Sequence, residues 1–168
     1  MGTYKDLTDE KAVAKLKALA EDINVCMFCT ELTELPINTR PMGVQEVDDD
    51  GNIWFISSKN SNKNFEIKED NRVQLIFSKT SSAEYLSVYG TAEIYRDQSK
   101  IDDLWTPIAK AWFEQGKEDP DVTVIKVSPS DAYYWDTKDG KIITLLKIAA
   151  SALTGAKSDG GIEGKINV

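Results

Sequence analysis

The sequence predicts one mostly β domain, in which antiparallel strands close into a small barrel and helices pack on its outside. The prediction rests on about six strand-like segments, linked mostly by hairpins or short helices without regular strand–helix alternation. With 168 residues, 41% of them hydrophobic, the chain can bury one core. No internal repeat or interior linker divides residues 1–155, and the Gly-, Lys- and Asp-containing segment 156–168 is predicted to be a mobile tail.

The first part of the chain predicts one helix followed by three strands. Residues 9–23 carry apolar side chains at helical spacing and acids in the first turn. The segments VCMFCT (25–30) and INTRPMGVQEV (37–47) have the composition of strands. Asp50-Gly51 predicts a hairpin turn into NIWFISS (52–58), because Asp-Gly accepts the positive φ values that such turns need.

The following part predicts strands separated by short helices. Ser61 is the expected N-cap of a short helix over 61–69, and Asp97 is the expected cap of a helix that ends near Pro107. Gly90 marks an expected bend or bulge. The predicted strands are RVQLIFS (72–78), YLSVYGTAEIY (85–95), VTVIKVSP (122–129) and DAYYWD (131–136), and a final helix is predicted over 142–153.

The composition excludes several classes of chemistry. The chain contains no histidine, which excludes a Ser-His-Asp triad, an imidazole base and a His-containing metal site. The net charge is −8 and no cluster of Lys and Arg is present, so nucleic-acid binding is not expected. Nucleotide-binding glycine loops are missing, and the carboxylate runs at 48–50 and 102–103 are predicted to be solvated.

Two cysteines form a C-x-x-C sequence within a predicted strand. Residues three apart on a strand point to opposite faces, so a disulfide between Cys26 and Cys29 would have poor geometry. We therefore predict two reduced cysteines in the core.

The sequence predicts a cytoplasmic protein without membrane contact. The N-terminal residues are polar and charged, unlike the apolar core of a signal peptide. The longest apolar-rich stretch, 142–153, contains Lys147 and is shorter than the ~20 residues of a membrane span.

One stretch of this acidic chain gathers cations and hydroxyl groups. The serines end an apolar strand and lead directly into a helix start, where hydroxyls, backbone amides and cations together can bind a phosphate monoester. The alternative is an ordinary strand–turn–helix with capping serines and solvated lysines. The residues concerned are Arg40, Ser57, Ser58, Lys59, Ser61 and Lys63.

The order and spacing of several motifs resemble one known family over roughly residues 9 to 155. These motifs are N-T-R-P-M-G (38–43), D-G-N-I-W-F-I-S-S (50–58), S-N-K (61–63), E-I-K-E-D-N-R-V (66–73), Y-L-S-V-Y-G-T-A-E (85–93), L-W-T-P-I-A-K-A-W-F (104–113) and Y-W-D (134–136). The chain resembles the pyridoxamine 5′-phosphate oxidase-like proteins, and within them the general stress protein 26 branch. The resemblance implies an FMN-binding split β-barrel that assembles as a homodimer with flavin at its interface.

The same resemblance implies a role for individual residues. Arg40 would reach the FMN phosphate and ribityl chain, and Lys63 would be the main cation for the phosphate. Trp112 would come from the partner subunit and close over the flavin, although core or dimer packing is an alternative for this residue. The backbone around Met42 to Val44 would lie along the isoalloxazine. The implied cofactor-binding residues are Arg40, Pro41, Met42, Gly43, Val44, Ser57, Ser58, Ser61, Lys63 and Trp112.

The chain departs from true pyridoxamine phosphate oxidases at its C-terminal end. Those enzymes hold their substrate with an Arg-x-His stretch, whereas this chain ends in GGIEGKINV. We therefore expect a flavin-dependent oxidoreductase of unknown substrate, without pyridoxamine 5′-phosphate oxidase activity. The alternatives are a non-catalytic flavin-binding or flavin-storage stress protein, and a heme- or F420-binding relative. The lack of histidine excludes an imidazole-ligated heme, and the scarcity of basic residues disfavours the polyanionic F420 tail.

Overall fold

More of the described residues lie in strands than in helices, and β6, β7 and β8 show the alternation of buried and exposed residues that is typical of strands. The computed structural model describes residues 3–137 and 161–167. Its strands are β1 Thr3–Tyr4, β2 Leu7–Thr8, β3 Val25–Thr30, β4 Asn38–Gly43, β5 Glu46–Val47, β6 Ile53–Ser58, β7 Arg72–Lys79, β8 Glu84–Tyr95, β9 Val122–Thr137 and β10 Gly161–Asn167. Its α-helices are α1 Asp9–Ile23, α2 Asn62–Glu69 and α3 Gln98–Leu104, and 3₁₀ turns lie at Ala109–Trp112 and Gly116–Glu118. The predicted helix over 142–153 lies outside the described residues.

The strands form one mixed sheet in the order β1-β10-β9-β8-β7-β3-β4, and β6 pairs with both β9 and β5. Most neighbours are antiparallel, which confirms the predicted pairing, whereas β1 and β2 run parallel to β10. The predicted fold class, a mostly β split barrel with flanking helices, is confirmed, but the strands of the described residues do not close into a complete barrel, because the order ends at β1 and β4. The sheet branches at β9, which has three partner strands among those described. One of its edges pairs with β8, while its other edge pairs first with β6 and then with β10.

Several local predictions are confirmed. The predicted helix over residues 9–23 and the strand over 25–30 have the bounds of α1 and β3. Gly51 has φ +83 in the turn between β5 and β6, and the Asp97 side chain accepts hydrogen bonds from the first amides of α3. The register between β8 and β9 shifts at Gly90, where an added Cβ would lie 2.2 Å from the Ser128 carbonyl oxygen. The predicted bulge therefore needs glycine for close backbone approach.

Other predicted boundaries are wrong. The segment 37–47 breaks into β4 and β5, because Val44 turns inward and its N–H donates to the Asn24 carbonyl at 2.8 Å. The two short strands predicted over 122–136 form the single strand β9, which continues through Pro129. Pro129 lies opposite Gly90 at the bulge, where the regular ladder is already interrupted.

The C-terminal segment 161–167 forms β10 and is not a mobile tail. It pairs with β9 along its length, and Ile166 is 1% exposed in the main core. The N-terminal strands cover its other edge, and the Tyr134 hydroxyl donates to the Lys5 carbonyl oxygen at 2.9 Å. The N-terminal strands β1 and β2 are thus fastened to β10, and β10 is fastened to β9.

Two hydrophobic clusters lie on opposite faces of β6 and β9. The main cluster fills the space between α1 and the inner faces of the strands, with Phe28 and Phe55 packed edge to face at 5.3 Å. The second cluster joins α3 to the outer face of β6 and β9, and consists of Ile101, Leu104, Phe113, Val122 and Val124. Successive residues of β6 therefore belong to different clusters.

Both cysteines are buried free thiols, as predicted. Burial raises the pKa of the Cys26 thiol to about 12, so this group stays protonated at neutral pH. Among the residues described, no helix has the length and apolar character needed to cross a membrane.

Candidate functional site

The candidate site lies where α2 packs beside β3 and β4. Helix α2 starts after Ser61 and buries Asn64 and Ile67 against the sheet. Lys63 and Glu66 are three residues apart, so they occupy neighbouring positions one turn apart on the helix surface. Glu66 contacts the β3–β4 hairpin directly.

Arg40 of β4 is held by an ion pair and a short hydrogen-bond network. Its Nη2 atom lies 2.6 Å from Oε2 of Glu66, and its Nη1 atom donates to Oγ1 of Thr30 at 2.6 Å. Thr30 in turn donates its hydroxyl proton to Glu66. The Glu66 side chain is 13% exposed, so this pair is shielded from water more than a surface salt bridge.

Lys63 is the second cation of the site and is partly buried. No carboxylate of the described residues lies within 4 Å of its ammonium, and none of them makes a hydrogen bond with it. Burial lowers the pKa of Lys63 below its ordinary value, the positive charge of Arg40 lowers it further, and Glu66 opposes the change. Arg40 and Lys63 thus lie within electrostatic range of each other, since Arg40 contacts Glu66, one turn along α2 from Lys63, and a bound anion near Lys63 would relieve this cost.

Ser57 and Ser61 belong to a buried polar network that fixes the start of α2. Ser57 Oγ donates to Asn64 Oδ1 at 2.7 Å and lies 3.3 Å from Ser61 Oγ. Asn64 Nδ2 donates to Thr123 Oγ1 at 3.0 Å, and Thr123 donates to the Ser57 carbonyl at 2.9 Å. The Ser61 side chain makes no capping hydrogen bond, so it does not occupy the first amides of α2. The network therefore positions Lys63 and Glu66 relative to the sheet.

Ser58 and Lys59 lie in a different environment. Ser57 is 3% exposed on the inner face of β6, and its neighbour Ser58 therefore faces the other side. Ser58 Oγ donates to Asp121 Oδ2 at 3.3 Å, and Lys59 forms an ion pair with Asp121 at 3.2 Å. The structure does not bring these two predicted residues into the Arg40 network.

The predicted residues 41–44 line an edge of the sheet. Within the described residues β4 pairs with β3 alone, so its other edge presents backbone groups without a strand partner. Met42 packs against the main core and Val44 is buried in it. Pro41 and Gly43 alternate with Met42, so they occupy the outer side of the strand.

Trp112 is separated from the core of its own chain. It ends the 3₁₀ turn at Ala109–Trp112 and is 80% exposed, whereas the next residue, Phe113, is buried in the second cluster. The alternative that Trp112 is intramolecular core is therefore wrong. Its roles in flavin closure and dimer packing stay predictions.

The polar residues that surround Arg40 were not predicted from the sequence. Glu66, Thr30 and Asn38 all take part, and Asn38 Nδ2 donates to Glu66 Oε1 at 3.2 Å. The three-residue spacing of Lys63 and Glu66 predicts that they are neighbours on one helix, but this spacing alone does not distinguish Glu66 from the other acidic residues. A shallow groove at the C-terminal end of α2, which extends from Ile67 to Asn71 and along Ala92 to Ile94, includes none of these residues.

The split, mostly antiparallel sheet with a cationic site beside α2 defines the class of protein. A sequence model described as "Pyridoxamine 5′-phosphate oxidase like" matches residues 11–159. Because this match covers most of the chain, the protein belongs to the pyridoxamine 5′-phosphate oxidase-like family. The family expectation from the motifs is confirmed.

Solved structures support the same fold. A protein assigned as general stress protein 26 from Jannaschia sp. CCS1 is similar with a TM-score of 0.78 and 27% identity, covering 94% of this chain and 98% of that one. The general stress FMN/FAD binding protein from Xanthomonas citri is similar with a TM-score of 0.63 and 29% identity, covering 74% of this chain and 87% of that one.

A sequence relative is also found. The chain is 28% identical over 111 residues to protein bli-3 of Neurospora crassa, a match that covers 61% of this chain and 53% of that relative.

Proposed function

We propose that this protein binds FMN beside α2 and acts as a flavin-dependent oxidoreductase on a small molecule that is not yet known. The observation that carries the proposal is the partly buried Lys63, which is in electrostatic range of Arg40 and has no carboxylate within 4 Å among residues 3–137 and 161–167. Glu66 neutralises Arg40, so the positive charge of the partly buried Lys63 is the one that a bound anion would stabilise. The FMN/FAD-binding relative from Xanthomonas citri supports flavin as that ligand.

The residues present fit the phosphate end of FMN. Arg40 uses Nη1 and Nη2 for Thr30 and Glu66, and its guanidinium has five N–H donors, so further donors remain for an anion. Lys63 supplies an ammonium from the first turn of α2, where the helix dipole also favours negative charge. The unpaired edge of β4 offers backbone donors and acceptors to a planar ring.

Electron transfer would be supplied by the flavin when it is bound. The chain would contribute binding and orientation: Arg40 and Lys63 hold the phosphate, and the Ser57–Asn64 network keeps α2 in place. Among the predicted residues, Ser58 has the least support for a phosphate contact because its hydroxyl donates to Asp121.

The test is a titration of purified protein with FMN and with riboflavin, followed by absorbance and flavin fluorescence. FMN is expected to bind clearly more tightly, since riboflavin has no phosphate for the two cations. Equal affinity would contradict the assignment. Reduction of the loaded protein by NADH or NADPH, with reoxidation by oxygen, would support an oxidoreductase, whereas binding without turnover would indicate flavin storage. Conversion of pyridoxine 5′-phosphate to pyridoxal 5′-phosphate is not expected.

We also propose that a second copy of the chain completes the flavin site. Apolar side chains are exposed across β3, β7, β8 and β9 on the face opposite the main core, which we call the outer sheet face. They are Val25, Met27, Ile76, Tyr89 and Trp135. Exposed apolar side chains on one sheet face are typical of a protein interface, and the exposed Trp112 is a suitable anchor. Sedimentation tests this proposal: the wild type is expected to be a dimer, and Ile76→Glu is expected to be a folded monomer. A monomeric wild type that binds FMN at full strength would contradict it.

A further inference from the structure

Glu66 is the one acidic group in direct contact with the proposed phosphate site, within the described residues. It forms an ion pair with Arg40 at 2.6 Å and opposes the lowering of the Lys63 pKa. Together, Arg40, Lys63 and Glu66 carry a net charge of about +1 at neutral pH, rather than the +2 that the cations alone suggest.

The contacts of Glu66 do not depend on Arg40 alone. Its Oε2 accepts a hydrogen bond from the Thr30 hydroxyl, and its Oε1 accepts one at 3.2 Å from Asn38 Nδ2, which also donates to Glu31. Both of these donors are neutral. If Arg40 turned toward a ligand, the carboxylate would still be hydrogen-bonded, which lowers the cost of separating the ion pair.

We propose that Glu66 is an internal counter-ion that competes with the ligand phosphate for Arg40 and thereby sets the affinity of the site for phosphorylated ligands. This inference rests on the proposed function, since it assumes that the phosphate binds between Arg40 and Lys63. In the protein without ligand, Glu66 neutralises Arg40 and keeps its side chain in place. On binding, the guanidinium exchanges part of its contact from carboxylate to phosphate, while Thr30 and Asn38 retain Glu66.

The test compares Glu66→Gln with the wild type in titrations with FMN and with riboflavin. Glutamine keeps the size of the side chain and removes its charge. We expect FMN to bind roughly tenfold more tightly, because one opposing charge-assisted contact is lost, and riboflavin affinity to change by less than about twofold. FMN affinity that is unchanged or weaker would overturn the inference.

Glu69→Gln is the matched control. Glu69 lies on the same helix and is exposed. Its replacement by glutamine changes the net charge of the protein by the same amount as Glu66→Gln. The FMN affinity of Glu69→Gln is expected to stay at the wild-type value, and equal tightening in both variants would show a general charge effect and refute the role of Glu66. Glu66→Asp retains the charge, so its FMN affinity is expected to stay closer to the wild type than to Glu66→Gln.

Two further measurements separate the possible failures. If Glu66→Gln does not fold, Glu66→Ala replaces it, with the same expected tightening, since alanine is compatible with α2. If the wild type does not bind FMN, the proposed function fails, and calorimetry with inorganic phosphate tests the counter-ion directly. Tighter binding of inorganic phosphate by Glu66→Gln than by Glu69→Gln would then support the counter-ion role of Glu66. Equal binding by the two variants, or no binding, would overturn that role.

Discussion

Replacement of Lys63 by alanine is the sharpest perturbation of the proposed phosphate site. Lys63 is partly buried, lies near Arg40 and has no counter-ion within 4 Å among the described residues, so its ammonium is available to a ligand phosphate. A hydrogen bond to a charged group contributes about 1.5–3 kcal/mol, which corresponds to a loss of about 10- to 150-fold in FMN affinity. Riboflavin has no phosphate, so its affinity is expected to change by less than about twofold.

The assay is a fluorescence titration of Lys63→Ala and of the control Lys68→Ala with both ligands. Lys68 is exposed on the same helix, with its ammonium 5.6 Å from the Phe65 ring centroid, and its removal changes the net charge equally. The control is expected to bind FMN like the wild type. An equal loss of FMN and riboflavin affinity in Lys63→Ala would refute the reasoning, because it would show that the lysine supports the fold or the ring rather than the phosphate.

The remaining predictions concern pH, the dimer and the C-terminal strand. The pKa of Lys63 is lowered from 10.5, so the lysine loses its charge, and the protein its preference for FMN over riboflavin, as pH rises through that lowered pKa. Lys63→Arg should keep the preference, because arginine stays charged. FMN and riboflavin titrations over a series of pH values check this, and a wild-type preference that does not change with pH would contradict the prediction. Trp112→Ala should leave the thermal stability of the monomer nearly unchanged but weaken dimerisation and FMN binding, whereas the buried Phe113→Ala should cost about 3–5 kcal/mol of folding free energy. Gly164→Ala should destabilise the protein by about 1–3 kcal/mol in denaturant unfolding, because its Cβ would lie 2.0 Å from the Lys5 carbonyl oxygen; wild-type stability would show that β10 is not held as described.

Local sequence patterns were sufficient to predict most of the elements. Helical periodicity located α1, and Asp-Gly and the Asp97 cap located a hairpin and the start of α3. They were not sufficient at Pro129, because proline inside a strand pattern ordinarily indicates a break. Here the strand continues, since Pro129 coincides with the Gly90 bulge and with the change of partner from β6 to β10.

The C-terminal strand shows a different limit. Ile162, Gly164 and Ile166 alternate with polar residues, which is the pattern of a half-buried strand. The high glycine content concealed this pattern. Its partners also include the first residues of the chain, and such a distant pairing cannot be recognised from local periodicity.

Part of the candidate site was predictable from local sequence, and part depends on residues that are distant along the chain. The two cations proposed to bind phosphate were predictable by type. Alternation along β6 separates Ser57 from Ser58, so these neighbouring hydroxyls could not both serve one ligand. Glu66 could not be selected from 28 acidic residues, because its significance depends on the β3–β4 hairpin that places Thr30, Asn38 and Arg40 around it. A sequence therefore shows the cations that could attract a phosphate, whereas the fold determines how much of their charge is already neutralised. If Glu66 competes for Arg40 as proposed, this difference is measurable as FMN affinity.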